Sequence, residues 1–329
     1  MASMHAARLT EAGRLTFEEA PAPELGDDPG YVLVRTDLAT ICGSDVHIVH
    51  HGLSAHEPPA PPGYPGHESV GEVIASSEPE LSVGQRVLTV PPPTDARCFA
   101  SHQLLPAGQV LPVPRGMDAE RAVLAQQLGT VVFALKRFWP AEGARTVTIV
   151  GAGSAGLLFL QEVRRRGAER VVMSDRVAGR RKRAEDLGAD VVVDPDERRV
   201  SQATFDVTGG QGADLVIEAA GYDAARIDAV DAVRVGGTIG CFGLPERPGV
   251  SPFPFETLFR RRASLHLEHA TQEEPGLLSF REALERIERQ RCDVSGMLTH
   301  TVPIERIDEA LNMATEWRDG TIKVGVTFA

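Results

Sequence analysis

The chain mixes short β-branched apolar runs with stretches whose apolar positions fall three and four residues apart, and the two alternate regularly only in its middle. There TVTIV (146–150) precedes LLFLQEVRRRG (157–167), followed by RVVMSD (170–175), VVVD (191–194), LVIEAAG (215–221) and GGTIGCFG (236–243). Runs this short and apolar predict strands buried on both faces, and the helical spacing predicts crossover helices between them. Strands alternating with helices make an α/β unit with a doubly wound parallel sheet. The first 115 residues read differently: strand-like segments such as YVLVRTDLATI and HESVGEVIAS are broken by Gly and Pro, as in a partly open barrel. From residue 116, GMDAERAVLAQQLGTVVFALKRF predicts a helix, and SLHLEHA near 264 should end the inserted sheet. LLSFREALERIERQ and PIERIDEALNMATEW predict amphipathic helices, and TIKVGVTF closes the chain. The expected organisation is therefore discontinuous: a β-rich first part over 1–125, an inserted sheet domain over 126–265, and a return to the first domain over 266–329. No internal repeat or low-complexity segment interrupts it.

The strand TVTIV runs directly into Gly151-Ala152-Gly153-Ser154-Ala155-Gly156, a G-x-G-x-x-G turn that opens a helix ending near Gly167. Such glycines let a pyrophosphate approach the backbone, with its charge on the helix N-terminus. The next strand ends at Asp175, close to the offset of about 20 residues expected of the acid that binds the adenosine ribose diol. A carboxylate there repels a 2′-phosphate, so the cofactor expected is NAD. Arg176 and Arg180 keep NADP open, because a guanidinium can pair with the extra phosphate; as part of a basic stretch with RRKR (180–183) they also read as a solvated helix face.

A second constellation lies nearer the start. ICGSDVH (41–47) and YPGHESVGEV (64–73) offer a thiolate at Cys42, an imidazole at His67 and a carboxylate at Glu68, the mixed donor set that suits Zn²⁺. Cys42 and His67 alone read as a buried thiol and an unrelated histidine. Asp45 changes that, since it can accept the ring N–H of a ligating histidine, and Gly66 and Gly71 permit close backbone approach around the donors. Three protein ligands leave one position open, the mark of Lewis-acid chemistry rather than of a metal that staples a fold.

These two segments resemble the zinc-dependent medium-chain dehydrogenase/reductase family, the alcohol, polyol and threonine dehydrogenases, in which C-G-S-D-x-H and G-H-E-x-x-G carry the catalytic zinc. The resemblance covers nearly the whole chain and implies a Rossmann-type sheet inserted in a β-rich, GroES-like catalytic domain. It implies Cys42, His67 and Glu68 as metal ligands, Ser44 beside the reacting hydroxyl, and His47 handing its proton towards solvent. DVTGGQGADLVIEAAG (206–221) is also similar to a family stretch, which places Ala219, Ala220 and Gly221 on the cofactor side or in close helix-to-sheet packing. The activity implied is hydride transfer between a secondary alcohol, of the polyol, sugar-like or amino-alcohol type, and NAD, with the metal lowering the hydroxyl pKa. Two readings compete: a zinc-free quinone or enoyl reductase of the same superfamily, and a catalytically silent NAD(H)-binding protein.

The chain departs from the family pattern in two places. Many relatives carry four closely spaced cysteines for a structural zinc, whereas VGQRVLTVPPPTDARCFASHQLLP holds only Cys98, so one zinc per chain is expected. Where the family has a Cys or Glu at the helix entering the cofactor domain, this chain has Gln126-Gln127. Gln126 is expected to coordinate through its carbonyl, to orient substrate, or to lie on the helix surface, and Thr130, one turn on, to face the nicotinamide. His50 and His51 read as surface or pocket-rim residues, and the pocket is expected to draw on residues around 53–64, on Phe99–His102 and on 266–275.

Length and charge narrow the rest. The 329 residues suit two domains, and 42% apolar residues supply their cores. A net charge of −12 disfavours nucleic acid and anionic membranes as partners; the partner that the family resemblance implies is a small-molecule alcohol or carbonyl substrate. Four cysteines without paired spacing argue against a disulfide framework, and no long apolar run and no charged start before an apolar block lead to the expectation of a cytoplasmic protein; the partner expected besides the substrate is a further copy of the chain, in a homodimer or homotetramer. Lysine is rare, at Lys136, Lys182 and Lys323 among 34 basic residues, a bias that points to a genome rich in G and C.

Overall fold

The computed structural model describes residues 2–269, 271–317 and 320–328. Ala270, which falls in both SLHLEHA and the 266–275 segment expected at the pocket, lies outside the described residues. The chain divides into two compact units, Met1–Thr130 with Gln272–Ala329, and Val131–Thr271.

The first unit opens with the antiparallel hairpin β1 (Ser3–Glu11) and β2 (Arg14–Pro21), followed by β3 (Tyr31–Ile41) and α1 (Gly43–His51). Then come β4 (Ser69–Ser76), β5 (Arg86–Thr89), β6 (His102–Pro106), β7 (Val110–Pro112) and the start of α2 (Ala119–Phe138), whose residues from Val131 on belong to the second unit. On β3 the first half alternates, with Val32 and Val34 turned into a core that includes Val73, Val87, Leu105 and Val110. Its second half, Leu38–Ile41, is buried throughout, because β4 flanks β3 on one side and a late strand flanks it on the other.

The second unit contains β8 (Thr146–Val150), α3 (Ser154–Arg165), β9 (Arg170–Ser174), α4 (Ala178–Asp186), β10 (Val191–Val193) and α5 (Val200–Thr208). It continues with β11 (Ala213–Glu218), α6 (Asp223–Ala232), β12 (Val233–Cys241), α7 (Phe255–Arg261) and β13 (Ser264–Leu267). All neighbouring strands are parallel, in the order β10-β9-β8-β11-β12-β13. The order reverses between β8 and β11, which makes their carboxyl ends the topological switch point of the sheet. Val147, Ile149, Leu215, Val216 and Ile217 are all fully buried, the two-sided burial that the continuous apolar runs imply.

The chain returns to the first unit with α8 (Leu278–Glu288), β14 (Leu298–Pro303), α9 (Ile307–Glu316) and β15 (Lys323–Thr327). The sheet there runs β14-β15-β3-β4-β5-β7, with β6 also on β3. No helix among the described residues is long and apolar enough to cross a membrane.

Candidate metal and cofactor sites

The metal site is assembled by three strands from distant parts of the chain. β3 pairs antiparallel with β15, so that Ile41 faces Val324 and Thr40 faces Gly325, and antiparallel with β4, where Ala39 faces Ser69. The amide of Thr40 donates to the Glu68 carbonyl over 3.0 Å. Cys42, Glu68 and Lys323 thus lie beside one another at the ends of adjacent strands, although the last two are far apart in sequence.

Cys42 also stands at the N-cap of α1, where its own amide donates to Asp45 Oδ2 over 2.8 Å. Asp45 Oδ1 lies 3.0 Å from His67 Nδ1, leaving Nε2 on the opposite side of the ring, 3.3 Å from Ser44 Oγ. His67 rides on a loop pressed onto Phe99: a Cβ at Gly66 would come within 2.6 Å of the Phe99 ring. Burial opposes charge on His67, but Asp45, with smaller help from Cys42, more than offsets it and holds the imidazole well above its ordinary basicity.

The donor atoms of Cys42, His67 and Glu68 all lie within 4.8 Å of one another. Bonds of about 2.0–2.3 Å to zinc at tetrahedral angles would set such atoms about 3.3–3.8 Å apart, within the limit seen here, and a thiolate, an imidazole and a carboxylate fit Zn²⁺ chemically. Glu68 is 1% exposed, and its Oε2 accepts from Thr40 Oγ1 and lies 2.6 Å from Lys323 Nζ. Burial alone would raise its pKa; the charges of Lys323 and His67, and the bonds from Lys323 and Thr40, hold it below the ordinary carboxylate value. Lys323 and Thr40 were not among the residues that the sequence motifs point to. The available signal was a lysine, rare in this chain, inside an apolar strand whose neighbours Val324 and Val326 are fully buried.

Two expectations about the surroundings are corrected. Gln126 and Gln127 are 1% and 5% exposed, so neither is a helix-surface residue, and it is Gln127 whose Nε2 approaches Cys42 Sγ, at 3.9 Å. A one-residue step turns a helical side chain by roughly 100°, so the two amides of this pair meet different surroundings. Phe99 and Ala100 are fully buried core residues, with Phe99 filling the space that Gly66 leaves, so they do not line a pocket. Cys98 is a core thiol within reach of Thr89 and Gln103, and burial pushes its pKa up to about 11.

His47 is 5% exposed, one helical turn from the exposed His51, with the rings 5.4 Å apart edge to face. His50 turns elsewhere, to Thr315 Oγ1 at 3.3 Å, and burial lowers its pKa, with the charge of His51 adding to the effect. Thr130 donates its hydroxyl to the Gln127 carbonyl over 2.7 Å.

In the second unit, Gly151 ends β8 at φ 103°, Gly153 caps α3, and Ser154 and Ala155 begin it. A Cβ on Gly156 would fall 1.9 Å from the Gly151 carbonyl, so the turn closes only around glycine. Asp175 braces this turn: Oδ2 accepts from the Ala152 amide and Oδ1 from the Val177 amide, each at 2.8 Å. Arg176 is exposed and pairs with Asp196 at 3.3 Å, whereas Arg180 reaches the turn, its Nη1 lying 3.8 Å from where a Gly153 Cβ would stand. Burial lowers the Arg180 pKa, and the charges of Asp175 and Tyr222 oppose the shift.

Comparison with known proteins places both units in a family. Residues 28–131 match the family model of the alcohol dehydrogenase GroES-like domain, and residues 155–288 match that of the zinc-binding dehydrogenases. A Mycobacterium tuberculosis protein named "probable zinc-binding alcohol dehydrogenase" is 31% identical over 92% of this chain and 83% of its own length. The L-threonine 3-dehydrogenase of Bacillus subtilis is 26% identical over 92% of this chain and 93% of its own. Among solved structures, a Sinorhizobium meliloti dehydrogenase bound to NADP superimposes with a TM-score of 0.83 at 24% identity, covering 99% of this chain and 100% of that one. With a GroES-like barrel, a doubly wound parallel sheet and near-complete coverage by a relative of that name, the chain belongs to the zinc-type medium-chain dehydrogenase/reductase family.

Proposed function

We propose that the protein is a zinc-dependent alcohol dehydrogenase that moves a hydride between a secondary alcohol and NAD, with one zinc per chain. The observation that carries this reading is the convergence of Cys42, His67 and Glu68 with Asp45 behind the histidine. A zinc held there supplies Lewis acidity to an alcohol or carbonyl oxygen, and the nicotinamide accepts or returns the hydride. The residues do the rest. Asp45 fixes the ring and tautomer of His67. Ser44 Oγ, beside His67 Nε2, takes up the substrate hydroxyl proton, and His47 passes it to solvent. Gln127 Oε1 is buried without a hydrogen-bond partner among the described residues, an acceptor that suits a second hydroxyl or an amine on the substrate. This favours a polyol, a sugar-like alcohol or an amino alcohol over a simple aliphatic one.

Asp175, bracing the glycine turn through Oδ2, supports NAD, while Arg180 at the same turn is the feature that would serve NADP. A panel of polyols, sugar alcohols and amino alcohols, run with each cofactor, tests the assignment. Turnover should require zinc, and kcat/KM should be at least about tenfold higher with NAD. Asp175→Ala should narrow that ratio. Wild-type preference for NADP would show that Arg180 outweighs the acid, and a panel without turnover would remove the dehydrogenase reading.

The assembly proposed is a homodimer or homotetramer. Among the described residues, strand β13 is the open edge of its sheet, with no lysine or proline to guard it, and exposes Leu265 and Leu267, while α7 exposes Phe255 and Phe259. Light scattering should give a multiple of the chain mass; a monomer at micromolar concentration would rule this out.

A further inference from the structure

Glu218 is fully buried at the carboxyl end of β11, where the sheet order reverses. In the ladders it faces Val150 of β8 on one side and Cys241 of β12 on the other, so it stands in the middle of the three strand ends that frame the switch point. Ligands of open α/β sheets bind at this rim. A carboxyl is an expensive group to bury, and burial pushes its pKa up, against the pull of the Gly221, Ala220 and Gly243 amides and the Arg226 charge.

Its contacts show what it holds. Oε1 accepts from two consecutive amides, Ala220 at 2.8 Å and Gly221 at 2.6 Å, which bends the chain sharply as it leaves β11. The Glu218 carbonyl accepts from Phe242 at 2.8 Å and Gly243 at 3.1 Å, which binds the exit of β12 to the same residue. The two exits are in contact: a Cβ on Gly243 would lie 2.2 Å from the Gly221 nitrogen and 2.9 Å from Glu218 Oε2. On the other side, Ala219 donates to the Val150 carbonyl over 2.9 Å, and a Cβ on Gly151 would lie 3.1 Å from the Ala220 Cβ. Arg226 Nη1 completes the arrangement by donating to the Gly221 carbonyl over 3.0 Å. The turn after β11 is thus fixed by its amides, by its carbonyl and by contact with the first glycine of the G-x-G-x-x-G turn.

We propose that Glu218 is a positioning residue of the dinucleotide site, presetting the 219–221 and 242–243 turns against Gly151 so that the cofactor meets an already formed rim. The inference rests on the reading of this unit as the NAD-binding unit. A preset rim lowers the ordering cost that binding would otherwise meet, so its loss appears in cofactor affinity.

The test is NADH binding to the zinc-loaded full-length protein, followed by nicotinamide fluorescence, with zinc content and thermal unfolding measured on the same samples. Glu218→Ala should weaken NADH about tenfold or more with zinc content unchanged, as expected when two buried amides lose their acceptor. Glu218→Gln, whose amide oxygen still accepts from both, should stay within about threefold of wild type. Glu218→Asp retracts the acceptor by one methylene and should behave like the alanine variant, which keeps the test open if the latter does not fold. Val216→Ala, on the same strand, lowers core stability without touching the rim and should leave NADH affinity unchanged. Wild-type affinity in Glu218→Ala or Glu218→Asp, or an equal loss in Val216→Ala, overturns the positioning role alone. A wild-type protein that binds neither NADH nor NADPH overturns the cofactor reading, and this inference with it.

Discussion

Cys42→Ser and His67→Ala are each expected to reduce zinc from about one per chain to near zero and to cut turnover by on the order of a thousandfold or more, since each removes one of three protein ligands. Asp45→Ala makes the result specific. It leaves the three donors in place and removes only the group 3.0 Å behind His67 Nδ1, so metal affinity should fall by about 10–100-fold rather than vanish. Metal analysis after dialysis against graded chelator separates the two classes. Zinc retained at full stoichiometry in Cys42→Ser, with turnover intact, would contradict the assignment of the site.

Lys323→Met should produce the largest loss of stability. Lys323 and Glu68 are both almost fully buried, 2.6 Å apart, and removing one member of such a pair leaves a charge without compensation, which costs about 3–5 kcal/mol. The pH dependence fixes the cause. Glu68 in the wild type is held below the carboxylate reference of 4.5, so its contribution is present above that pH and is lost as pH falls through the lower folded value. Lys323 is raised above its reference of 10.5: burial would lower it, but the charge and hydrogen bond of Glu68 together with the charges of Cys42 and Asp45 outweigh burial, so its contribution persists until pH rises through that higher value. Without the lysine, burial pushes Glu68 up instead, and the folded variant binds a proton more tightly than the unfolded chain does. The stability gap between variant and wild type should therefore be widest near neutral pH and close as pH drops towards 4.5. Urea unfolding of the metal-free proteins measures it, and adding Glu68→Gln to Lys323→Met should recover most of the loss. A gap below about 1 kcal/mol at pH 7, or one that ignores pH, would show that the pair is not what stabilises this end of the barrel.

The sheet unit was legible because its signal is local. TVTIV, the glycine turn and Asp175 lie within one stretch of chain, and two-sided burial leaves strands that read as unbroken apolar runs. The strand ends moved by a residue or a few, as where β12 begins at Val233, ahead of the glycines that mark the segment. The donors Cys42, His67 and Glu68 were legible for another reason: thiol, imidazole and carboxylate are chemically conspicuous, and Asp45 keeps a fixed offset from Cys42. What stayed hidden is set by pairing across long separations. Nothing near Lys323 in sequence announces Glu68, and only the β15–β3–β4 ladder brings them together. The choice between Gln126 and Gln127 depends on the rotation of α2 about its axis, which a segment rich in apolar residues on several sides does not specify. Glu218 read as an ordinary member of LVIEAAG, since a buried acid differs from an exposed one only by its surroundings.

The same ladder imposes an order on biosynthesis. Val131–Thr271 is continuous in sequence, so its parallel sheet has every strand it needs once β13 has left the ribosome. The barrel unit is split around it, and Glu68 is made long before the lysine that neutralises it. Until β15 emerges, the edge of β3 that it will cover stays open and a carboxylate destined for burial must keep its water, so the nascent barrel cannot close over the metal ligands. The two units therefore mature in the reverse of their order along the chain, with the sheet unit complete first and the barrel unit last.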